Sequence, residues 1–166
     1  MNDPTPLNET PELTRQLAGL LLAKGQMMAT AESCTGGMIA AACTDLAGSS
    51  AWFERGFVTY SNEAKTELLG VPVALIDEQG AVSEPVVRAM AEGALRHARA
   101  HIAVAVTGVA GPGGGSADKP VGSVWFGWAT AAGVRTQLRH FEGDRQRVRQ
   151  ATVQHALQGL NDLLLA

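Results

Sequence analysis

Hydrophobic and polar positions near the start of the chain follow first a helical and then an extended spacing. Leucines recur every three or four positions between Leu13 and Lys24 and a glycine follows, which predicts an amphipathic helix. We expect this helix to begin near Thr10, with Thr10 as its cap. Residues 27–33 (MMATAES) carry no charge until their end and predict a buried strand. The helix predicted next has one apolar face, formed by Met38, Ile39, Ala42, Cys43 and Leu46.

The middle of the chain predicts one strand and two helices. Residues 53–61 (FERGFVTYS) predict the strand, and residues 62–70 (NEAKTELLG) predict a short helix that a glycine ends. Ser83 is suited to cap the longer helix that follows. The core face of that helix consists of Val86, Val87, Met90, Ala94, Leu95 and Ala98.

The remaining pattern predicts three strands and a final helix. Residues 101–108 (HIAVAVTG) have the unbroken apolar centre that is typical of a strand covered on both faces. Residues 121–131 and 134–142 predict two strands that form a hairpin around residues 132–133. The inward positions of the final helix, residues 144–164, are Val153, Ala156, Leu157, Leu160, Leu163 and Leu164.

Alternating helices and strands with a terminal hairpin predict an α/β fold. We expect a three-layer α/β/α sandwich on a mixed, mostly parallel sheet of about five strands with a C-terminal hairpin. A chain of 166 residues is long enough for one substantial core. We therefore expect a single domain over residues 10–166, preceded by a disordered or loosely docked tail at residues 1–9.

Composition and charge narrow the classes of partner. The formal net charge is -3 and the hydrophobic fraction is 46%, without the basic stripe that duplex nucleic acid requires. The amino terminus lacks a signal-peptide pattern, and no apolar run approaches the ~20 residues that cross a bilayer. We therefore expect a cytoplasmic protein with neither nucleic acid nor membrane as partner. If Cys34 and Cys43 both lie on the predicted helix, they point to opposite sides of it, and we expect free thiols.

Two predicted strands end in small polar residues and glycines. These segments are residues 30–37 (TAESCTGG) and residues 107–120 (TGVAGPGGGSADKP). Ligands of open α/β sheets bind beyond the carboxyl ends of strands, so the segments form one pocket if their strands are parallel neighbours. The glycines let backbone amides approach a ligand, although their spacing matches neither a Walker motif nor a dinucleotide fingerprint. A surface loop without a ligand is the alternative interpretation of residues 107–120.

Ser33 is a candidate nucleophile because it stands where a strand meets a helix. Free amides and the dipole at a helix start can stabilise an oxyanion beside it. Helix capping by Ser33 or Thr35 is the alternative role of these hydroxyls. Cys34 is intrinsically the better nucleophile, but a catalytic thiolate usually needs a paired histidine. We instead expect the four histidines at the solvated surface: His97, His101, His140 and His155.

A serine without a histidine needs another base, and a lysine with a lowered pKa can serve. Lys65 is our candidate, because it lies on the short helix after the second strand, whereas Lys24 and Lys119 are expected to be exposed. A solvated lysine beside two glutamates is the alternative. Tyr60 lies at the end of the same predicted strand and could donate a hydrogen bond or relay a proton. The alternative is that Tyr60 is a half-buried strand residue without a role in catalysis.

Three arginines open the final predicted helix, where cations oppose the helix dipole. They are Arg145, Arg147 and Arg149. An anionic ligand would explain their position, since arginine binds phosphate or carboxylate in two-pronged geometry and a helix start adds amides. A solvated helix face is the alternative. The cysteines and histidines match no metal motif, and we expect neither a metal nor a cofactor.

Several long strings carry a family resemblance. They are AESCTGG, DLAGSSAWFERGFVTYSNEAK, GAVSEP, TGVAGPGGGSADKPVGSVWF and GDRQRVR. In this order they resemble the CinA carboxyl-terminal domain family, from about residue 10 to the end of the chain. Stand-alone members of that family are nicotinamide mononucleotide amidohydrolases, while in many other members the domain follows a larger amino-terminal domain. Because no such domain precedes residue 10 here, we expect the stand-alone amidase.

The resemblance implies a reaction and the residues that perform it. The reaction is hydrolysis of the carboxamide of nicotinamide mononucleotide to nicotinate mononucleotide and ammonia, a step in pyridine nucleotide salvage. The family's catalytic serine matches Ser33, and its lysine and tyrosine match Lys65 and Tyr60. Lys65 would act as the base, while amides near residues 35–37 would hold the oxyanion. The substrate-binding residues that we predict are Glu32, Thr35, Gly36, Gly37, Asn62, Thr107, Gly108, Gly111, Gly113, Arg145 and Arg149, with the glycine-rich loop and the two arginines on ribose and phosphate.

Two alternatives to this function are open. The domain could bind a pyridine nucleotide without catalysis, as a sensor or partner module, or it could be a thiol amidase that uses Cys34. In each case the ligand is a small molecule. We also expect a homo-oligomer, with a homodimer as the simplest form, and the aromatic residues within 49–57 (SSAWFERGF) could be core or subunit interface.

Overall fold

A mixed sheet of five strands forms the centre of the molecule. The computed structural model describes residues 8–166, and its strands are β1 (Met28–Glu32), β2 (Phe53–Val58), β3 (Ile102–Gly108), β4 (Ser123–Thr130) and β5 (Gly133–His140). They lie in the order β2-β1-β3-β4-β5. β1 pairs in parallel with β2 and β3, whereas β4 pairs antiparallel with β3 and β5. The sheet and its C-terminal hairpin confirm the predicted fold class.

The described residues form six α-helices. These are α1 (Thr10–Lys24), α2 (Met38–Thr44), α3 (Asn62–Leu69), α4 (Val73–Gln79), α5 (Glu84–His97) and α6 (Arg145–Leu165), with a 3₁₀ turn at Ser49–Ala51. The sequence pattern did not predict α4, because its seven residues give only about two turns of apolar spacing. No helix within residues 8–166 combines the length and the apolar character needed to cross a membrane.

The start of α1 differs from the prediction. Glu9 occupies the cap position without a side-chain cap bond, and Thr10 is the first helical residue. The backbone N–H of Thr10 donates to Asn8 Oδ1 at 3.1 Å. Of the predicted tail over residues 1–9, residues 1–7 lie outside the described part of the chain, and Asn8 and Glu9 are exposed.

Separate groups of helices cover the two faces of the sheet. α1, α2 and α6 lie on one face, and α3, α4 and α5 lie on the other. Along β3, Ile102, Val104 and Val106 pack toward α1 and α6, while Ala103 and Ala105 pack toward α5. Because both faces of β3 are buried, its apolar positions are continuous instead of alternating, as predicted. The arrangement confirms the three layers.

The aromatic residues of the second strand region belong to the core of this chain. Trp52 is only 1% exposed and packs with the residues beneath α1 and α6. Phe53 and Phe57 are partly buried and pack on opposite faces of the sheet. Of the two interpretations of residues 49–57, the structure therefore supports the core.

Two expectations about single side chains are wrong. His155 is half-buried rather than solvated, because its ring packs edge-on against Phe126 with 4.6 Å between ring centroids. Burial lowers the pKa of His155. Cys34 lies in the turn before α2 and not on the helix that carries Cys43, so the argument from opposite helix faces does not apply. Both cysteines are nevertheless free thiols, as predicted.

Candidate active site

The carboxyl ends of β1 and β3 lie side by side and open into one pocket. Because these strands are parallel neighbours, the segments that follow them meet at one edge of the sheet. The pocket has a volume of about 340 Å³. The predicted site residues that line it are Ser33, Tyr60, Asn62, Lys65, Thr107, Gly108, Gly111, Gly113 and Arg145.

Part of the pocket wall was not predicted. Ala81 and Val82 reach it from the segment before α5, and Val109, Ala110 and Gly114 complete the side formed by the loop after β3. The buried hydroxyl of Thr107 donates to the Ala81 carbonyl at 2.9 Å and ties the two walls together. The string GAVSEP contains Ala81 and Val82, but nothing in its composition indicates a pocket.

Lys65 is buried with its amine against the hydroxyl of Ser33. Nζ lies 3.0 Å from Ser33 Oγ, and the two residues are 1% and 8% exposed. Ser61 caps α3 by accepting a hydrogen bond from the N–H of Ala64 at 3.0 Å. This start of the helix places Lys65 on the side that faces the sheet. The alternative of a solvated lysine is therefore wrong.

Burial shifts the Lys65 amine toward its uncharged form. Burial lowers the pKa of Lys65, and within residues 8–166 no carboxylate lies within ion-pairing distance of Nζ. The carbonyls of Thr59 and Tyr60 lie 3.0 and 3.2 Å from Nζ. A neutral amine can donate to both carbonyls and still accept the hydroxyl proton of Ser33 with its lone pair. The geometry therefore suits a lysine that acts as a general base.

The turn after β1 leaves backbone amides unpaired next to Ser33. The N–H of Gly36 donates to the carbonyl of Ser33 at 3.0 Å, and the N–H of Met38 donates to the carbonyl of Thr35 at 3.1 Å. Among residues 8–166, no backbone carbonyl accepts a hydrogen bond from the amides of Cys34 and Thr35. Of the amides predicted to hold an oxyanion at residues 35–37, that of Gly36 is thus already occupied.

Glu32 organises the start of α2 and does not line the pocket. It is fully buried, and Oε1 accepts from the hydroxyl of Thr35 at 2.6 Å and from the N–H of Ile39 at 2.7 Å. Oε2 accepts from the N–H of Ala40 at 3.1 Å. A carboxylate at a helix start also meets the favourable end of the helix dipole. These helix-capping bonds stand in place of the substrate contacts predicted for Glu32 and Thr35.

Replacing Glu32 with glutamine is expected to destabilise the fold by about 1–3 kcal/mol, because the side-chain NH₂ group would face a buried backbone N–H. Chemical denaturation of Glu32→Gln and the wild type measures this difference. Glu12→Gln is the control, since Glu12 forms an exposed ion pair with Arg15. Equal unfolding midpoints for wild type and Glu32→Gln would contradict the capping role.

Cys34 lines the pocket but is poorly suited to be the nucleophile. Burial raises the pKa of its thiol to about 12, so that it stays protonated near neutral pH. Within the described part of the chain, no histidine side chain forms a hydrogen bond with Cys34. Both observations argue against the thiol amidase.

Tyr60 and Arg145 contact each other at the open side of the pocket. Tyr60 is 61% exposed, which rules out the half-buried strand residue considered above. Its hydroxyl accepts from Arg145 Nη2 at 3.3 Å, and Arg145 Nη1 donates to the carbonyl of Gly111 at 2.8 Å. The contact of Tyr60 with Lys65 involves the backbone carbonyl and not the hydroxyl.

The loop after β3 lines the pocket and contains backbone amides that have no acceptor among residues 8–166. The φ angles of Gly111 and Gly114 are +82° and +85°, which glycine adopts without strain. At Gly108 a Cβ would lie 2.7 Å from Val124 Cγ2, so a larger residue does not fit there. Among residues 8–166 no acceptor pairs with the loop amides of Ala110, Gly111, Gly113 and Gly114.

Besides Glu32 and Thr35, three more of the predicted substrate-binding residues do not line the pocket: Gly36, Gly37 and Arg149. The two glycines form the turn, with φ of +57° and +105°. Arg149 reaches the same turn from α6 and donates to the backbone carbonyls of Cys34 and Thr35 at 3.1 and 3.2 Å. These contacts occupy the guanidinium that was predicted to bind phosphate.

The fold and the pocket define a three-layer α/β/α protein with a buried serine and lysine at the carboxyl ends of its parallel strands. The profile of the CinA C-terminal domain matches residues 10–164, and the chain belongs to this family. The chain is 55% identical over 154 residues to nicotinamide-nucleotide amidohydrolase PncC of Escherichia coli strain K12, which covers 92% of this chain and 93% of that protein. The protein of the same name from Pseudomonas putida is 58% identical over 134 residues, or 81% of this chain and 84% of that protein.

The chain is also similar in structure to a solved protein. The crystal structure of the competence/damage inducible protein CihA from Agrobacterium tumefaciens superposes with a TM-score of 0.91 at 48% sequence identity. The match covers 95% of this chain and 96% of that protein. The family and the fold class predicted from the sequence are both confirmed.

Proposed function

We propose that this protein is an amidohydrolase that converts nicotinamide mononucleotide to nicotinate mononucleotide and ammonia. The observation that carries the proposal is the buried 3.0 Å contact between Lys65 Nζ and Ser33 Oγ at the edge of the pocket. The substrate class follows from the two relatives, 55% and 58% identical, that are named nicotinamide-nucleotide amidohydrolase.

In the first half of the reaction, Ser33 is the nucleophile and neutral Lys65 is the base. Lys65 Nζ takes the hydroxyl proton while Ser33 Oγ attacks the carboxamide carbon. The backbone amides of Cys34 and Thr35, which donate to no backbone carbonyl among residues 8–166, stabilise the oxyanion that forms. Protonated Lys65 then gives its proton to the leaving nitrogen, and ammonia departs. The product is a nicotinoyl ester on Ser33.

In the second half, water hydrolyses this ester. Lys65 is again neutral and accepts a proton from the attacking water. When the tetrahedral intermediate collapses, the proton returns to Ser33 Oγ and the nicotinate nucleotide leaves. The hydroxyl of Tyr60 contacts Arg145 and not Lys65, and we assign the proton transfers of both halves to Lys65.

The open part of the pocket suits the ribose and the phosphate. Arg145 is the arginine that lines the pocket, and it contacts the glycine-rich loop, whose amides at residues 110, 111, 113 and 114 have no acceptor among residues 8–166. Asn62, the first residue of α3, also lines the pocket. We assign the phosphate to Arg145 and the loop amides, and the ribose to the neighbourhood of Asn62.

Ammonium release tests the proposed function. Purified protein incubated with nicotinamide mononucleotide should form ammonium and nicotinate mononucleotide in equal amounts. A chelator should leave the rate unchanged, because the proposed steps use only protein groups and water. Binding of the nucleotide without ammonium release would instead support the non-catalytic module.

The pH profile should show an acid limb that belongs to Lys65. Only neutral Lys65 can accept the proton of Ser33, so kcat/KM should rise with pH and level off. Burial lowers the pKa of Lys65, and we expect the inflection below the ordinary lysine value of 10.5. Initial rates from about pH 6 to about pH 10 measure this profile. A rate that increases toward acid pH would exclude a neutral lysine base.

A further inference from the structure

Arg149 binds the backbone directly after the proposed nucleophile. Its Nε lies 3.1 Å from the carbonyl oxygen of Cys34, and Nη2 lies 3.2 Å from that of Thr35. The arginine belongs to α6, more than a hundred residues further along the chain. It does not line the pocket, so its contacts are with the turn and not with the space that a substrate would fill.

These contacts orient the amides beside Ser33. A trans peptide unit is planar, and its C=O and N–H groups point to opposite sides. With the carbonyl of Cys34 held toward Arg149, the N–H of Thr35 faces the other way. The bond from Gly36 N–H to the Ser33 carbonyl, 3.0 Å long, orients the N–H of Cys34 in the same manner. Backbone amides that directly follow a nucleophile are placed to bind an oxyanion.

The turn needs support from outside, because it contains two consecutive glycines. Gly36 and Gly37 have positive φ angles, and glycine permits many other conformations at little cost. The forked guanidinium of Arg149 binds two successive carbonyls at once, which a single ammonium group cannot do with the same geometry. Charge-assisted bonds of this kind are also stronger than neutral ones.

We propose that Arg149 is a positioning residue for the oxyanion-binding amides. Through the carbonyl of Cys34 it orients the amide of Thr35 directly. Through the carbonyl of Thr35 it holds the peptide that carries the Gly36 N–H, whose bond to the Ser33 carbonyl orients the amide of Cys34. This role rests on the proposed amidohydrolase function. The two arginines that we predicted to bind substrate thus have different roles. Arg145 lines the pocket and can contact the substrate phosphate, whereas Arg149 acts through the backbone of the turn.

The test compares Arg149→Met with Arg147→Met. Arg147 is the control because it is exposed on the same helix and does not line the pocket. Both kcat and KM are measured with nicotinamide mononucleotide, and its Kd is measured separately in the Ser33→Ala background. For Arg149→Met we expect kcat to fall by about 10²-fold, as for loss of an oxyanion donor, while Kd changes by less than about threefold. Arg147→Met should match the wild type in both quantities.

A phosphate ligand would give the opposite result, namely a Kd weakened by about tenfold or more with a smaller change in kcat. Arg149→Lys serves as the second variant, because lysine keeps the positive charge but lacks the forked guanidinium group. We expect its kcat to be at least about tenfold below that of the wild type. Thermal melting of both Arg149 variants confirms that they are folded. Wild-type kcat in a folded Arg149 variant, or the weakened Kd, overturns the positioning role alone. An inactive wild-type protein overturns the proposed function and this role together.

Discussion

Replacing Ser33 with alanine is expected to lower the rate of ammonium release from nicotinamide mononucleotide by roughly 10³-fold or more. No other group in the proposed mechanism can form the acyl-enzyme, and loss of a nucleophile typically removes most of the catalytic effect. The substitution removes one oxygen atom, and the carbonyls of Thr59 and Tyr60 still bind Lys65 Nζ. We therefore expect Ser33→Ala to fold and to bind the nucleotide. Steady-state ammonium production and calorimetric binding of the nucleotide measure the two quantities.

Two further variants make this result specific. Ser50→Ala is the matched control, since Ser50 is an exposed serine in the 3₁₀ turn and should retain the wild-type rate. Cys34→Ala removes only the thiol, keeps the backbone amide, and should retain most of the activity. Substantial turnover by Ser33→Ala, or loss of turnover in a folded Cys34→Ala protein, would contradict the serine mechanism.

Replacing Lys65 with methionine is expected to reduce kcat by about 10²–10⁴-fold, the usual contribution of a general acid–base group. Methionine is close to the length of the lysine stem but cannot accept a proton from Ser33 Oγ. Ammonium assays over the same pH range as for the wild type measure the effect. The acid limb of the pH profile should disappear along with the activity, because the group that titrates is gone.

Lys24→Met and Lys65→Arg separate the base from the positive charge. Lys24 is exposed at the end of α1, and its replacement should leave the rate unchanged. Arginine at position 65 keeps a charge but stays protonated, so it should be as inactive as methionine. Recovery of the rate by Lys65→Arg would mean that the charge, and not a neutral amine, is what the reaction requires. Thermal melting of each variant distinguishes lost chemistry from unfolding.

Much of the fold could be predicted from spacing alone. Leucines in α1 and the apolar face of α6 repeat often enough to define their helices, and the unbroken apolar run in β3 indicates burial on both faces. The short helix α4 was missed because it contains little more than one apolar repeat. The solvated position predicted for His155 was wrong, because its aromatic neighbours are contributed by β4 and the segment before α6.

The candidate site was only partly predictable for a related reason. Ser33 and the glycine-rich loop stand at strand ends, and this local feature indicates a pocket. The contacts of Glu32 and Arg149 could not be predicted in this way. A carboxylate beside a serine and an arginine at a helix start each suggest a ligand when the sequence alone is considered, but in the structure both side chains bind the turn after β1. The single-domain organisation, the homo-oligomer and the cytoplasmic location stay predictions.

The sequence by itself determined the order of the elements other than α4, the glycine-containing turn after β1, and the residue types available for catalysis, because these follow from neighbours a few positions apart. Only the tertiary structure decided which of those residues meet. Lys65 reaches Ser33 across 32 residues, and Arg149 reaches the same turn across more than a hundred. Packing against the sheet buries the lysine and lowers its pKa, and this burial is a property of the assembled layers that no local pattern contains.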